Sequence, residues 1–79
     1  MTTRQITFEM PEKVLLAEKM DEASFARELR ILTAVKLYEL GRLSSGRAAE
    51  LAGMSRVEFL VALGRYIEAE LSDLESADG

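Results

Sequence analysis

Residues 4–10 are the only part of the chain in which apolar and polar side chains alternate convincingly. The apolar side chains fall on one face (Ile6, Phe8 and Met10) and the polar ones on the other (Gln5, Thr7 and Glu9). A period of two, with β-branched and aromatic residues, predicts a β-strand. A lone strand leaves its backbone amides and carbonyls unpaired, so it must pair with another strand. Because the sequence offers no second strand, we expect a homodimer in which this segment pairs with its own copy.

The remaining pattern predicts about four helices, so the fold class is mainly α with one short N-terminal strand. A short helix over about 11–19 begins at Pro11, whose missing amide hydrogen is no loss in a first turn. A longer helix from Phe25 to Leu40 follows two candidate N-caps, Asp21 and Ser24. Its apolar residues cover more than one face, which predicts a central core helix that needs no ligand.

Two short helices joined by a tight turn are predicted in residues 42–66. Ala49 is small enough for the helices to cross closely, and Gly53, four residues later, accommodates a positive φ in the turn. Phe59 falls on the inward face of the second helix, and Ser55 followed three residues later by Glu58 predicts a capping box at its start. This spacing predicts a helix-turn-helix with Ala49, Gly53 and Phe59 in its core, although an ordinary helical hairpin would fit it as well.

A helix-turn-helix would present a candidate DNA-binding face. Ser55 and the second helix's N-terminus suit a phosphate, and Arg56 suits a guanine or a phosphate. Arg47 lies near the start of the first helix, which crosses the DNA backbone in this motif. Three neighbouring apolar residues would face the groove as well (Val57, Leu60 and Val61). They can contact little beyond a thymine methyl group, so burial against another helix or chain is the alternative.

The N-terminal half offers a second DNA-binding interpretation. The order of strand, short helix and longer helix in residues 4–40 is that of a ribbon-helix-helix dimer, whose paired strands enter the major groove. Gln5 and Thr7 would then read bases, while Glu9 accepts only from cytosine. The alternative is a dimerising strand whose polar face is merely solvated.

The charge of the chain is unevenly distributed. The net charge is -4, with Lys+Arg 10 and Asp+Glu 14. Residues 42–65 carry four arginines and two glutamates, whereas residues 66–79 carry five acidic residues and no basic one. A polyanion would therefore bind within 42–65 and be repelled by the tail.

Several function classes are excluded by composition. The chain has Cys 0 and His 0, which excludes disulfides, zinc fingers and thiol nucleophiles, and we expect no metal or cofactor. No apolar run approaches the roughly 18–20 residues of a membrane span. The polar, alternating N-terminus is unlike a signal peptide, so we expect a cytoplasmic protein. The tail carboxylates have no pocket-forming context, so we expect neither an enzyme nor a small-molecule substrate.

The stretch ELRILTAVKLYELGRLSSGRAAELAGMSRVEFLVALGRY, residues 28–66, resembles the UPF0175 family of small prokaryotic proteins. The resemblance is carried by LYxxGRLS, then GxAAELAGxS, then EFLxxLGRY, and it extends more loosely over residues 6–27. It implies a helix-turn-helix protein and an antitoxin that binds a PIN-domain ribonuclease toxin and represses its own promoter. The residues that match the motif would take the helix-turn-helix roles given above (Arg47, Ala49, Gly53, Ser55 and Arg56).

The chain departs from the family pattern at two places. Members often have a bulky aromatic residue where Val57 stands, and many continue after LGRY with an extended, proline-containing segment. Here IEAELSDLE continues the helical pattern, with apolar residues at a helical spacing (Ile67, Leu71 and Leu74). An acidic amphipathic helix of this kind would fit the basic groove of a nuclease, so these three residues are the predicted toxin-binding set.

We therefore expect a single domain over 1–79, with three parts. Residues 1–41 hold the strand and dimerisation helices, 42–66 the helix-turn-helix, and 67–79 the acidic tail. Two functions remain open: a DNA-binding regulator of the antitoxin kind, and a protein-interaction module that neutralises a partner without binding DNA.

Overall fold

The protein is described here from a computed structural model that gives the backbone of residues 2–78 and the side chains of residues 2–69. Within residues 2–78, four α-helices follow one another: α1 (Glu12–Glu18), α2 (Glu22–Glu39), α3 (Ser45–Ala52) and α4 (Arg56–Asp78). The prediction of a mainly helical chain with about four helices is confirmed. None of the helices within the described residues is long and apolar enough to cross a membrane.

Local capping interactions determine where the helices begin. Of the two candidate caps for α2, Asp21 is the one used, because its Oδ1 accepts from the Ser24 amide at 2.7 Å. The helix therefore begins three residues earlier than the predicted Phe25. Ser44 caps α3 in the same way, its Oγ accepting from the Arg47 amide at 3.2 Å. A side-chain acceptor satisfies an amide that has no partner within the helix itself.

The core lies among α2, α3 and α4, with α3 packed against both of the others. Seven buried residues form it: Ile31, Ala34, Val35, Ala48, Ala49, Ala52 and Phe59. Four of the seven are alanines, which lets the helix backbones approach closely. Phe59 is 0% exposed and packs edge-to-face on Tyr38, with the ring centroids 5.7 Å apart. Such an aromatic pair is stabilising beyond the area that it buries.

Two polar contacts tie the helices together around this core. Arg30 Nε of α2 donates to the Leu51 carbonyl of α3 at 2.8 Å. Tyr66 Oη of α4 donates to Glu28 Oε1 of α2 at 3.0 Å. Partial burial, followed by the hydrogen bond and charge of Glu28, raises the pKa of Tyr66 above its ordinary value. The phenol is therefore protonated at neutral pH and can donate this bond.

The N-terminal strand predicted over residues 4–10 is not supported. Residues 2–11 have no regular secondary structure, and within residues 2–78 no strand forms. The physical reason is the lack of a partner: in the described part of this single chain, residues 2–10 make no backbone hydrogen bond. Ile6 and Phe8 accordingly remain exposed, at 88% and 62%. The homodimer itself stays a prediction, since one chain does not test it.

Helix α4 continues through Gly64 and across the predicted boundary between residues 66 and 67. Its 23 residues correspond to a length of about 34 Å. The acidic tail is thus the far end of the same helix that begins at the turn. Because α4 does not bend back, its acidic end points away from the arginines near its start.

Candidate nucleic-acid interface

The turn between α3 and α4 is closed by backbone hydrogen bonds that only a left-handed residue permits. Gly53 has φ 73 and ends α3. Its amide donates to Glu50 O at 3.1 Å, and the amide of Met54 donates to Ala49 O at 3.0 Å. This pairing is the Schellman arrangement, which satisfies the last carbonyls of a helix. It redirects the chain within three residues, so that α4 begins at Arg56.

A reciprocal cap fixes the first turn of α4. The Glu58 amide donates to Ser55 Oγ at 3.1 Å, and the Ser55 amide donates to Glu58 Oε1 at 3.1 Å. The capping box expected from the Ser-x-x-Glu spacing therefore forms. The hydrogen bonds from Ser55 hold the pKa of Glu58 below its ordinary value. The consequence is a rigid, charged helix start directly after the turn.

Arg56 lies across the start of the preceding helix. Its Nε donates to Ser45 Oγ, in the first turn of α3, at 3.0 Å. This bond positions the guanidinium between the beginnings of α3 and α4, and the residue remains exposed. An arginine held in this way loses less side-chain entropy when its remaining N–H groups bind an anion.

Arg47 is the second exposed arginine of the site. Its Nη1 lies 3.8 Å from Glu50 Oε2, and both side chains are largely exposed. An ion pair of this length at a solvated surface contributes little free energy. Arg47 is therefore available to a stronger anion, with Glu50 as a nearby competitor.

The other predicted residues of the turn lie on two sides of the polypeptide. Ala49 and Phe59 are buried in the core. Ser55 and Val57 are exposed, Val57 at 72%. The turn thus carries Ser55, Arg56 and Val57 on the outside, with Arg47 exposed on α3.

The predicted DNA-binding residues of the strand make no polar contact with the turn between α3 and α4. Gln5 and Thr7 are exposed in the segment before α1. Within the described residues, no hydrogen bond or ion pair joins them to the turn between α3 and α4.

Two residues that position the site were not predicted from the sequence. Ser45 receives the Arg56 guanidinium, and Arg30 braces the end of α3 from α2, with its Nη2 3.6 Å from where a Cβ on Gly53 would stand. Both contacts join residues 11 to 23 positions apart. Only the packing of the helices determines them, so no local spacing rule signals either one.

An apolar stripe runs beside the arginines on the outer side of α4. Val57, Leu60 and Val61, at a helical spacing of three and four, are all exposed. Burial against another helix of the same chain, one part of the alternative for these residues, does not occur in the described structure. We call these three residues the α4 stripe.

The predicted toxin-binding residues lie further along the same helix. Ile67 is exposed, at 40%. Leu71 and Leu74 belong to α4, but their side chains lie outside the described residues. No group of acidic residues suited to a metal ion occurs among the described residues.

The fold and site define a small four-helix protein in which a capped, tight turn presents an arginine-bearing helix start. Comparison with known proteins assigns the family. The sequence model of the "Uncharacterised protein family (UPF0175)" matches residues 1–77. A "UPF0175 protein" of Aeropyrum pernix is 38% identical over 82 residues, covering 95% of this chain and 88% of that protein. The chain therefore belongs to the UPF0175 family, and no solved structure gives a significant match.

Proposed function

We propose that the protein is a DNA-binding transcriptional regulator that contacts its operator with the turn between α3 and α4. The observation that carries this proposal is the first turn of α4, capped by Ser55 and Glu58 and bearing the exposed Arg56. In a helix-turn-helix, the N-terminal residues of the second helix contact base edges while the first helix crosses the backbone. Here α4 is the second helix and α3 is the first.

The charge pattern supports the same face. The overall charge of -4 opposes DNA, but residues 42–65 carry two more basic than acidic side chains. Arg47 and Arg56 are both exposed in this segment. The five acidic residues after Tyr66 belong to the far end of α4, so their repulsion falls away from the turn.

We further propose that this regulator is the antitoxin of a toxin–antitoxin pair with a PIN-type ribonuclease. The support is the resemblance of residues 28–66 to UPF0175 members that are read as antitoxins. In this proposal the protein acts in the cytoplasm as a homodimer, and it binds partners without catalysing a reaction.

A salt-series binding assay on DNA from upstream of the protein's own gene tests the regulator proposal, with unrelated DNA of equal length as the reference. We expect the logarithm of affinity to fall linearly as the logarithm of salt rises. Arg56→Gln and Arg47→Gln should each weaken binding and lower the salt slope by about 1. Arg27→Gln, a charge loss on α2, is the matched control and should leave both quantities unchanged.

Ser45→Ala tests whether the position of the Arg56 side chain matters in addition to its charge. It removes the acceptor of the Arg56 Nε bond but keeps the guanidinium. We expect it to weaken binding less than Arg56→Gln and to leave the salt slope intact. Equal affinity of the wild type and both arginine variants would exclude this face as the DNA contact.

The α4 stripe favours a second candidate, a protein-interaction module that neutralises its partner without touching DNA. Val57, Leu60 and Val61 are apolar and exposed, and exposed contiguous apolar surface marks interaction sites. The acidic end of α4, with Ile67, would then occupy a basic groove of the toxin. A PIN-type nuclease encoded beside this gene is the partner to test.

Substitutions at the far end of α4 test this second candidate. Ile67→Ser, Leu71→Ser and Leu74→Ser should each weaken neutralisation of the co-expressed nuclease, whereas Ser72→Ala in the same tail should not. DNA binding should be unaffected by all four. Full neutralisation by the combined triple variant would remove the tail from the mechanism.

A further inference from the structure

In the fold of the single chain, the described apolar side chains near the N-terminus are not fully covered. Of the described residues 2–30, none is buried. A shallow depression of about 260 Å³ lies between the N-terminal segment and the helices α1 and α2. One charged residue, Glu22, lines it together with six apolar ones (Phe8, Met10, Leu15, Phe25, Ala26 and Leu29). This mainly apolar depression has no covering layer, and Ile6, two residues before Phe8, is exposed at 88%.

The backbone of the same segment also lacks partners. Within the described residues, none of residues 2–10 makes a backbone hydrogen bond. Its side chains alternate over residues 5–10, so one polypeptide segment has both an apolar face for the depression and an unsatisfied edge. A second copy of the segment supplies hydrogen-bond partners and the same alternation, which makes it the occupant with matching chemistry.

We propose that residues 5–9 pair antiparallel with residues 5–9 of a second copy, with the two-fold axis at Thr7. This ribbon presupposes the homodimer of the proposed function and adds its interface and register. Directly opposite residues of an antiparallel pair lie on the same face. The axis must therefore pass through a residue and not between two, because only then do apolar side chains oppose apolar ones.

Among the axes through a residue, Thr7 gives the best pairs. It places Ile6 of each copy opposite Phe8 of the other, and Thr7 opposite Thr7 of the second copy. Aromatic with β-branched residues and threonine with threonine are both stabilising cross-strand pairs. Gln5 then opposes Glu9, so the amide can donate to the carboxylate. The ladder ends before Pro11, where α1 is about to begin.

The neighbouring axes give poorer pairs. An axis at Phe8 brings Pro11, which has no amide hydrogen, opposite Gln5. An axis at Ile6 leaves Phe8 opposite the charged Arg4. With the axis at Thr7, Ile6 and Phe8 of both copies form one continuous apolar surface. That surface covers the two depressions over α1 and α2, and the polar residues face solvent.

Disulfide cross-linking tests the register, because the natural chain has no cysteine. A two-fold axis at Thr7 brings the two copies of that residue within the roughly 4.4–6.8 Å Cα separation of a disulfide. Thr7→Cys should therefore oxidise to a covalent dimer. Gln5→Cys is the matched control on the same polar face. Its two copies would lie four residues out of register, about 13 Å apart, and should stay reduced.

Sedimentation of the cysteine-free chain tests the interface independently of the register. Phe8→Ser should raise the dimer dissociation constant about tenfold or more, since it removes an aromatic side chain that the dimer would cover. Leu40→Ser is the control, because Leu40 and Phe8 are both 62% exposed in the single chain. It lies after α2, away from the ribbon, and should leave the dissociation constant unchanged.

The outcomes distinguish the ribbon from the DNA-binding proposal. Rapid cross-linking of Thr7→Cys alone, with dimer loss in Phe8→Ser, supports the ribbon. Equal cross-linking of Thr7→Cys and Gln5→Cys, or a dimer that does not cross-link at position 7, overturns this register. A chain that stays monomeric at high concentration overturns the ribbon altogether. Operator binding by such a monomer in the salt series would leave the regulator proposal standing.

Discussion

Residues 2–30 and residues 31–66 form two regions that both contain many apolar residues but differ in how many of them are buried. Apolar residues make up 12 of the 29 in the first region and 20 of the 36 in the second. Yet all seven core residues lie in the second, and none of the first is buried. A shortage of apolar side chains does not explain so complete a difference. What differs is that α3 packs on both α2 and α4, whereas α1 contributes no buried residue.

The two regions differ in whether a single chain is enough to bury their apolar side chains. The second region forms a buried core within one chain, although it leaves the α4 stripe exposed. The first region has its helix caps and its alternation, but none of its described side chains is fully buried within the single chain. We therefore expect substitutions in the two regions to differ in size and in dependence on protein concentration.

The largest expected difference is between two phenylalanines. Phe59→Ala removes a fully buried ring from the core and should lower the free energy of unfolding by about 3–5 kcal/mol. Phe8→Ala, on a side chain that is mostly exposed in the single chain, should have little effect in dilute solution. Urea unfolding followed by circular dichroism measures both.

Protein concentration supplies the control for this pair. The loss in Phe59→Ala should be nearly the same at low and high concentration. The loss in Phe8→Ala should grow with concentration, because only the associated protein covers that ring. Losses of equal size in both variants at every concentration would show that the first region belongs to the core of the single chain.

Two glycines within the second region should respond in opposite directions. Gly53→Ala places a Cβ on a backbone with φ 73 and should destabilise by about 1 kcal/mol. The added atom would lie 3.6 Å from Arg30 Nη2, an ordinary contact, so the cost comes from the local backbone conformation and not from a clash with a neighbouring residue. Gly64→Ala, inside α4 with nothing within 4 Å, should stabilise by about 0.5–1 kcal/mol.

Thermal unfolding of the two glycine variants measures the difference directly. Both substitutions add one methyl group, so each is the control for the other. A stabilising Gly53→Ala would contradict the left-handed turn on which the proposed DNA-binding face depends. A destabilising Gly64→Ala would mean that α4 does not run unbroken through that position.

The features that the sequence predicted best are those fixed by a few neighbouring residues. The Ser55–Glu58 capping box and the positive φ of Gly53 each depend on a span of about four positions. The start of α2 shows the limit of such rules. The sequence offers both Asp21 and Ser24 as caps, and the hydrogen bond from the Ser24 amide to Asp21 Oδ1 identifies Asp21 as the cap.

Contacts between distant residues could not be predicted in this way. The bond from Tyr66 to Glu28 spans 38 positions, and the bond from Arg56 to Ser45 spans 11. Both depend on how whole helices lie against one another. The strand prediction failed in the single chain for a related reason, since the alternation over 4–10 specifies a face but not the partner that would pair with it.

The smallest expected effect is a difference in acid response between two capping carboxylates. Hydrogen bonds from Ser55 lower the pKa of Glu58, and hydrogen bonds from Ser24 lower the pKa of Asp21. A carboxyl whose folded-state pKa is depressed stabilises the fold above its unfolded pKa. That contribution is lost as the pH falls through the folded value. Both caps should therefore weaken below the ordinary values of 4.5 for Glu58 and 3.8 for Asp21.

The weakening of the two caps at low pH should affect different measurements in the two regions. Glu58 caps a helix that the core holds, so Glu58→Gln should flatten the acid side of the global stability curve. Asp21 caps the end of α2 that buries nothing, so Asp21→Asn should change only local opening, seen as amide exchange at Ser24. Both variants keep an oxygen acceptor and abolish the titration, which makes them matched controls. If Asp21→Asn flattens the global curve as much as Glu58→Gln, the start of α2 unfolds together with the core and the division into two regions is wrong.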